Sequence, residues 1–424
     1  MSPAIKGMSP INGSAAEPVG GPGSPPESAG YLPLRPLEVA TCDVLGHVAP
    51  PPQPEALDLT PLAALERCLL PALMRPPCVV AFSGGRDSSG VLAAAVHLAR
   101  REGLPPPIAL TRRWPRHPGT DESYWQELVI SALGVADWER VDYEETDVIG
   151  PSSRASLARR GLLWPPLVHS WPALFARARG GSFVNGEGGD EVFGPRRCTP
   201  VLYALAHWRH LRLPAASAAA MALAPRPLRR QGAFRSFKDA APWLRAEARA
   251  EYQRQLAEEK AGEPLHWARS LWWHLGWRSL QLGSTNLALI ATEEGARLFQ
   301  PLLDPVFVAA LGRSAGPLGH RGRTNAMRTV FHGLLPDELL ARTTKPDFTS
   351  AIFGTWTRDF VHDWDGSGVE TSLVDLEALR KAWQKPSPPA GTSLLIQQAW
   401  LGRVPTVPAP TGGTTLRANV STES

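Results

Sequence analysis

The sequence VVAFSGGRDSS, at residues 79–89, joins a short apolar run to a loop of small and polar residues. The run at 78–82 is rich in β-branched residues and lies between proline and glycine, which predicts a buried strand. After the loop, the Ala- and Leu-rich stretch at 89–101 predicts a helix. A buried strand that leads through a glycine loop into a helix is typical of the parallel sheets of α/β proteins.

The alternation of strand and helix continues on both sides of this segment. Apolar residues at three- and four-residue steps predict a helix from Leu59 to Leu73, which prolines then end. Further along the chain the pattern predicts more elements, strands at 108–110, 138–143 and 182–184 and helices at 120–133 and 165–179. The sequence therefore predicts an α/β fold in which helices cover a parallel sheet.

Beyond Gly194 the pattern changes, and from there on we predict helices and no further strand. These predicted helices lie at 199–224, 240–260, 267–293, 304–313, 325–334 and 394–404. The second half of the chain is therefore expected to be a mostly helical subdomain.

Composition separates this region from the two ends of the chain. Of the 424 residues, 38 are Gly and 43 are Pro, and much of this excess lies near the ends. We therefore predict a disordered or linker-like segment at 1–55, one domain at 56–404 and a disordered tail at 405–424.

Composition and charge exclude several classes of protein. With 43% hydrophobic and 20% charged residues the chain is globular. No apolar run approaches the roughly 18 residues of a membrane helix, and the N-terminus lacks the apolar core of a signal peptide. We therefore expect a soluble, cytoplasmic protein without membrane contact. The net charge of +4 includes no block of basic residues, so nucleic-acid binding is not favoured.

The loop after the first strand has the chemistry of an anion-binding site. Gly84 and Gly85 let the backbone approach an anion closely, and the hydroxyls of Ser83 and Ser88 add donors. The first N–H groups of the following helix favour negative charge at the same place. A carboxylate in this loop would repel phosphate, so Asp87 is best explained as a ligand of Mg²⁺. An ordinary glycine-rich turn is the alternative, but the full string is much more specific.

The string VVAFSGGRDSS resembles the pyrophosphate-binding loop of the ATP pyrophosphatase (PP-loop) superfamily. Enzymes of this superfamily cleave ATP between the α- and β-phosphates and form an adenylated intermediate. The loop has no Gly-Lys-Ser/Thr sequence, so it is not a Walker A loop. The resemblance implies ATP and Mg²⁺ as cofactors and a parallel-sheet, adenine nucleotide α-hydrolase-like core at about 76–196, followed by the helical part at about 197–404.

A second glycine-rich loop, FVNGEGGDEVFG at 183–194, follows another predicted strand. It resembles the Gly-Glu-Gly-x-Asp-Glu signature of the synthetase domain of asparagine synthetases. Its glycines keep the backbone open, while Glu187, Asp190 and Glu191 supply carboxylates. The β-lactam-forming branch usually carries tyrosine at the position of Glu187, so this residue favours chemistry of the asparagine synthetase type.

The resemblance implies a role for each of a set of site residues. Glu187 would be catalytic and face the acyl-adenylate and the incoming amine, and Asp190 would join Asp87 in binding Mg²⁺ and pyrophosphate. The segment LLPDELLARTTKPDF at 334–348 resembles the family segment that carries a catalytic lysine, which makes Lys345 that residue. The residues implied to bind ATP and pyrophosphate are Ala81, Ser83, Gly84, Gly85, Asp87, Ser88, Leu110, Asn185 and Gly186.

The chain also departs from the family pattern. The segment QPLLD at 300–304 resembles the family's Pro-Phe-Leu-Asp, but the usual arginine is absent, and Arg297 lies two positions away. Asn185 stands where serine is usual. The residues before the first loop are too few for the glutaminase domain of full-length asparagine synthetases. Nitrogen is therefore expected from free ammonia, from an amine of the substrate or from a separate glutaminase or biosynthetic partner.

The resemblance predicts an ATP-dependent, AMP- and pyrophosphate-forming amide ligase. It would activate a small-molecule or peptide carboxylate as an acyl-adenylate for attack by ammonia or an amine. One alternative is a macrolactam or β-lactam synthetase, such as a lasso-peptide cyclase. A PP-loop tRNA-modifying enzyme would need salt-sensitive RNA binding. A non-catalytic scaffold is disfavoured because the expected catalytic residues are present.

Three further features have both a structural and a functional interpretation. Four tryptophans in LHWARSLWWHLGW, at 265–277, fit a helix-packing core better than a wall for a bulky substrate. Asp121 and Glu122 match an acidic pair of the family but equally suit a helix N-terminus. The segment GHRGRTNAMR, at 319–328, could bring Arg321, Arg323 or Arg328 to a carboxylate or phosphate. A position on the surface is the default interpretation of these arginines.

Overall fold

The structure, a computed structural model, describes residues 30–55, 58–144, 146–344 and 346–403. Within these residues five strands are found, β1 (Cys78–Ala81), β2 (Ile108–Arg113), β3 (Trp138–Asp142), β4 (Ser182–Val184) and β5 (Arg297–Phe299). They form one sheet in the order β3-β2-β1-β4-β5, and every neighbouring pair is parallel.

Helices surround the sheet and make up most of the second half of the described chain. Up to the second loop they are α1 (Pro36–Thr41), α2 (Pro61–Leu73), α3 (Arg86–Glu102), α4 (Ser123–Leu133), α5 (Pro151–Arg160), α6 (Pro172–Phe175) and α7 (Gly189–Phe193). After it they are α8 (Thr199–Ala206), α9 (Leu213–Leu223), α10 (Arg226–Ser236), α11 (Ala246–Gly262), α12 (Trp267–Leu275), α13 (Arg278–Glu293), α14 (Pro305–Arg313), α15 (Arg323–Phe331), α16 (Asp337–Ala341), α17 (Thr349–Ile352), α18 (Thr355–His362), α19 (Leu376–Trp383) and α20 (Ser393–Arg403). The predicted α/β fold with a mostly helical second half is confirmed.

Three-residue to five-residue 3₁₀ turns link several of these helices. They lie at Pro118–Thr120, Pro166–Ser170, Ala176–Ala178, Trp208–His210, Pro301–Leu303 and Ala390–Thr392. None of the described helices is both long and apolar enough to cross a membrane.

The order of the strands changes direction at β1. The chain runs outward from β1 through β2 to β3, and then returns to place β4 on the other side of β1. Val80 of β1 thereby lies opposite Ala109 of β2 and Val184 of β4. In parallel α/β sheets, ligands bind at the carboxyl ends of the strands where the order reverses. The loops that follow β1 and β4 leave the sheet side by side at that position.

Buried clusters lie on both faces of the sheet. Val80 belongs to a cluster that also contains residues of α2, α3, α14 and α15. Val79 belongs to the opposite cluster, with Phe183 of β4 and residues of α13. This is the alternation expected of a strand buried on both faces. A third cluster joins α1, α11, α19 and α20 around Trp383.

The prediction that strands stop beyond Gly194 is wrong, because β5 pairs with β4 at the edge of the sheet. Only Leu298 of its three residues is fully buried. A strand of this length is too short to give a recognisable period of two. As a result the sheet takes one strand from the part of the chain predicted to be helical.

Three predicted helices are shorter or more broken than predicted. Residues 165–179 form separate short turns because Pro166 and Pro172 each begin a new one, and proline lacks the N–H that a continuous helix needs. The predicted helix at 199–224 divides into α8 and α9. The helix at 267–293 divides into α12 and α13 at Gly276.

The segment at 1–55 also differs in part from the linker that its composition predicts. Residues 36–41 form α1, and Val39, Ala40 and Leu45 are buried. A few apolar side chains that pack on a core outweigh a composition rich in proline and glycine. The predicted disordered segments at 1–29 and 405–424 lie outside the described residues.

Candidate active site

A cavity of about 400 Å³ opens at the carboxyl ends of β1, β2 and β4. Residues from the loops after β1 and β4 line one part of it, and apolar side chains such as Leu167, Leu174 and Phe348 line the rest. Most residues predicted to bind ATP are in this wall: Ala81, Ser83, Gly85, Asp87, Ser88, Leu110, Asn185 and Gly186. Gly84 belongs to the same loop but is not part of the wall.

The loop after β1 is closed by hydrogen bonds of its own serines. The hydroxyl oxygens of Ser83 and Ser88 are 3.0 Å apart, and the Ser83 N–H donates to the Ser88 hydroxyl at 3.1 Å. Gly84 has a φ of +84°, in the left-handed region that favours glycine. Helix α3 begins at Arg86 after a glycine N-cap, which offers no side-chain acceptor to the first N–H groups of the helix. Such N–H groups suit an anionic ligand.

The loop after β4 packs directly against this first loop. A Cβ atom at Gly186 would lie 2.9 Å from the Ser88 nitrogen, and one at Gly189 would lie 2.1 Å from Asp87 Cγ. Both distances are shorter than Cβ contacts in proteins, so the absence of side chains allows the two backbones to meet. This contact brings the acidic residues of the second loop to the first.

The carboxylates of Asp87 and Asp190 meet at the guanidinium of Arg323. Nη2 of Arg323 donates to Oδ2 of Asp87 at 2.5 Å, and Nη1 donates to Asp190. The Arg323 side chain is only 15% exposed, so the default interpretation of it as a surface residue is wrong. Burial raises the pKa of Asp87, and the positive charge of Arg323 opposes this effect.

This arrangement fits a Mg²⁺ site that depends on phosphate and water for most of its ligands. Two carboxylates converge on the guanidinium of Arg323, and Oδ1 of Asp87 is buried without a hydrogen-bond partner in the described chain. Magnesium in nucleotide sites typically takes one or two carboxylates and completes its shell with phosphate and water. Among the described residues, no three His, Cys, Asp or Glu side chains converge as an all-protein site would require.

Glu187 lies in the cavity wall, directly after the strand end of β4. Its side chain is accessible to water in the open cleft, but protein surrounds the carboxyl group on most sides. Burial raises its pKa to about 7, and the negative charges of Glu191, Asp190 and Asp87 act in the same direction. A carboxyl group that titrates near neutral pH can both accept and release a proton under working conditions.

Part of the cavity wall, formed by Arg112, Trp114 and Trp171, was not predicted from the sequence. The guanidinium carbon of Arg112 lies 4.9 Å from the ring centre of Trp171 and 5.6 Å from that of Trp114. Burial lowers the pKa of Arg112. One signal in the sequence could have found this residue: it comes directly after the strand predicted at 108–110, at the edge of the sheet where ligands bind.

Lys345 lies outside the described residues, but the segment around it contacts the site through Arg342 and Phe348. Arg342 donates to both carboxylate oxygens of Glu122 at 2.5 Å and to the Gly84 carbonyl at 3.3 Å. Phe348 is part of the cavity wall. Glu122 therefore does more than favour a helix N-terminus. Through Arg342, it holds the segment before Lys345 against the loop after β1.

The structure brings the two predicted loops together. Of the other predicted residues, some lie at the site and others lie away from it. Asp190 lies beside the cavity rather than in its wall, and it reaches Asp87 through Arg323. Arg328 is exposed and pairs with Asp337. Of the tryptophans at 265–277, Trp267 is buried in the core as predicted, whereas others line a second cavity.

Comparison with known proteins agrees with this geometry. The asparagine synthase family model matches residues 65–402, which include both loops and the segment that contacts them. None of the curated proteins matches the chain. Because the family model covers most of the chain, the protein belongs to the asparagine synthase family of ATP-dependent carbon–nitrogen ligases.

Proposed function

We propose that the protein is an AMP- and pyrophosphate-forming amide ligase. It activates a carboxylate as an acyl-adenylate and transfers the acyl group to ammonia or an amine. The observation that carries this proposal is the contact of the two glycine loops, which brings Asp87, Asp190 and Glu187 together at the carboxyl ends of β1 and β4. An anion-binding loop and a titratable carboxyl group then share one cleft, as such a reaction requires.

The cavity offers different surfaces to the phosphates and to adenosine. Ser83, Ser88 and the first N–H groups of α3 would bind pyrophosphate oxygens. Ala81, Leu110 and their aromatic neighbours would contact the adenine ring through apolar surface. Asp87 and Asp190 would hold Mg²⁺, which when bound neutralises negative charge on the phosphates.

Glu187 is the group best placed to manage the proton of the amine. When the amine attacks the acyl carbon, the C–N bond forms, the bond to the AMP oxygen breaks, and the nitrogen loses a proton. A carboxyl group with a pKa of about 7 can take that proton near neutral pH. By its resemblance to the family lysine, Lys345 would stabilise the negative charge on the α-phosphate and on the tetrahedral intermediate.

The proposal is tested by formation of AMP and pyrophosphate from ATP and Mg²⁺, with aspartate and ammonium as first substrates. We expect Asp87→Asn and Lys345→Ala to reduce AMP formation by about 100-fold or more. Asp239→Asn is the matched control, because Asp239 is exposed and lies outside the cavity wall. Undiminished turnover in both active-site variants would refute the assignment.

The identity of the substrates distinguishes asparagine synthesis from the alternative amide-forming reactions. Asparagine formed together with AMP would identify an asparagine synthetase that uses ammonia, free or supplied by a separate glutaminase. If the protein binds ATP but is silent with aspartate, the acid is instead a specialised small molecule or a peptide. Ring closure of a peptide would then be tested with a precursor that carries both the acid and the amine.

A further inference from the structure

A second cavity, of about 310 Å³, lies beside α7. Asp190 and Glu191 form part of its wall, only a few residues after Glu187 in the wall of the first cavity. Side chains of α11 and α12 form half of the remainder. The two cavities share no lining residue, but the charge of Glu191 in the second wall acts on Glu187 in the first.

Arg196 is the most unusual residue of this wall. It is only 5% exposed, yet its Nε and Nη2 atoms are buried without a hydrogen-bond partner in the described part of the chain. Burial lowers the pKa of Arg196 to about 10, so the side chain is still charged at neutral pH. Nε and Nη2 form one edge of the guanidinium, and this edge matches the two oxygens of a carboxylate.

The remaining donor of Arg196 is fixed by His274. Nδ1 of His274 lies 2.7 Å from the Ser270 carbonyl oxygen, which can only accept a hydrogen bond, so Nδ1 carries the proton. Burial lowers the pKa of His274 to about 3, which keeps the ring neutral. Nε2 is therefore an acceptor for Nη1 of Arg196 at 3.1 Å. This bond orients the guanidinium and leaves its other edge for a ligand.

Acidic, basic and aromatic side chains make up much of the rest of the cavity wall. Glu191, Glu259 and Glu263 lie in its wall together with one lysine, Lys260. Burial raises the pKa of Glu259 to about 7, and the positive charge of Lys260 opposes this effect. Buried carboxyl groups of this kind are relieved by a neighbouring cation. Trp273 and Trp277, with ring centres 5.5 Å apart, add an apolar surface that also attracts cations.

We propose that this cavity binds a free α-amino acid with an apolar or aromatic side chain. The carboxylate pairs with Nε and Nη2 of Arg196, the ammonium group faces Glu191, and the side chain contacts Trp273 and Trp277. Each part of the ligand thereby meets a group of complementary chemistry in a cavity of matching size.

This inference rests on the proposed ligase function, because it makes the amino acid the amine partner of the reaction. The carboxylate of this ligand pairs with Arg196 in a cavity apart from the loop after β1. It is therefore not the carboxylate that ATP activates. The deprotonated amino group attacks the acyl-adenylate carbon and the C–N bond forms. The bond to the AMP oxygen then breaks, AMP leaves with the electron pair, and the nitrogen releases its proton to Glu187, the proton acceptor proposed above.

Binding is measured by calorimetry on the whole protein without ATP, with L-phenylalanine and L-leucine as probes. Two analogues separate the groups of the ligand: 3-phenylpropionate lacks the ammonium group, and phenethylamine lacks the carboxylate. We expect at least one amino acid to bind, and each analogue to bind about tenfold or more weakly than phenylalanine. Equal binding of phenethylamine, or no binding of either amino acid, would overturn the proposal.

Variants assign the binding to this cavity. Arg196→Met is expected to weaken amino-acid binding by about ten- to a hundredfold, whereas Arg212→Met, at an exposed arginine outside the cavity, leaves it unchanged. If Arg196→Met does not fold, Glu191→Gln and Trp273→Ala take its place. Unchanged binding in every folded variant of the cavity would overturn the proposal.

The experiments give a different result if the amino-acid site exists but the proposed ligase function is wrong. In that case no acid supports formation of AMP, while amino-acid binding still depends on Arg196. The opposite result, AMP formation with ammonium and no amino-acid binding, would refute the amino-acid site and leave the ligase function standing.

Discussion

Gly189 is the residue of the second active-site loop that lies closest to the side chain of Asp87 in the first loop. A Cβ atom there would lie 2.1 Å from Asp87 Cγ, so Gly189→Ala must displace Asp87 or the loop. We expect this substitution to lower the free energy of unfolding by about 1–3 kcal/mol and to weaken Mg²⁺-dependent ATP binding. Chemical unfolding and nucleotide titration measure both effects.

A glycine in open space provides the control for that substitution. Gly316 has no heavy atom within 4 Å of a Cβ position, so Gly316→Ala should preserve both stability and ATP binding. A similar loss in the two variants would mean that the close approach of the loops is not the cause.

The raised pKa of Glu187 is expected to make the stability of the protein depend on pH. Its pKa in the folded protein, about 7, is above the ordinary value of 4.5, so the folded state binds more protons than the unfolded state between these values. The contribution of Glu187 to stability therefore falls as the pH rises through this window. We expect Glu187→Gln to raise the Tm at about pH 8 and to change it little near pH 4. Glu127→Gln, at an exposed glutamate, should show no such trend, and a pH-independent effect of Glu187→Gln would contradict the shifted pKa.

At the scale of elements, one buried ion pair joins the segment after α16 to the start of α4. The side chains of Arg342 and Glu122 are only 4% and 5% exposed, and two hydrogen bonds connect them. Arg342→Met would leave Glu122 buried without its partner, which costs about 3–5 kcal/mol. Urea unfolding measures this loss, and Glu122→Gln in the same chain should restore part of it.

The chain contains an exposed arginine–carboxylate pair for comparison. Arg328 and Asp337 are also joined by two hydrogen bonds, but the side chains are 39% and 63% exposed. Water and salt screen such pairs, so Arg328→Met should change stability little. If the two arginine variants lost the same stability, burial would not be what makes the Arg342 pair important.

Elements that carry local signals were predicted well from the sequence. The strands β1 to β4 lie close to their predicted positions. The signal is clearest for β1, a short apolar run bounded by proline and glycine, whereas β2 and β3 also contain charged residues. The edge strand β5 was missed because three residues cannot show a periodicity. Helices were extended across Pro172 and Gly276 because apolar spacing continued through residues that interrupt the backbone.

At the scale of the whole molecule, the sequence could locate the site but not its complete wall. Both glycine loops were found because their residue types and spacing are specific to phosphate chemistry. Arg323 and Arg112 were not assigned to the site because their roles depend on contacts between distant parts of the chain. The second cavity was missed for the same reason, since Arg196 meets His274 only in the folded structure.

The contact of Arg323 with Asp87 and Asp190 bears on the order of events when the protein forms. Two carboxylates as close as these would repel each other during folding if nothing stood between them. Arg323 acts as a built-in counterion, so the approach of the two carboxylates does not depend on a bound cation. We therefore expect the chain to fold without its ligands, unlike small metalloproteins whose folding waits for the ion.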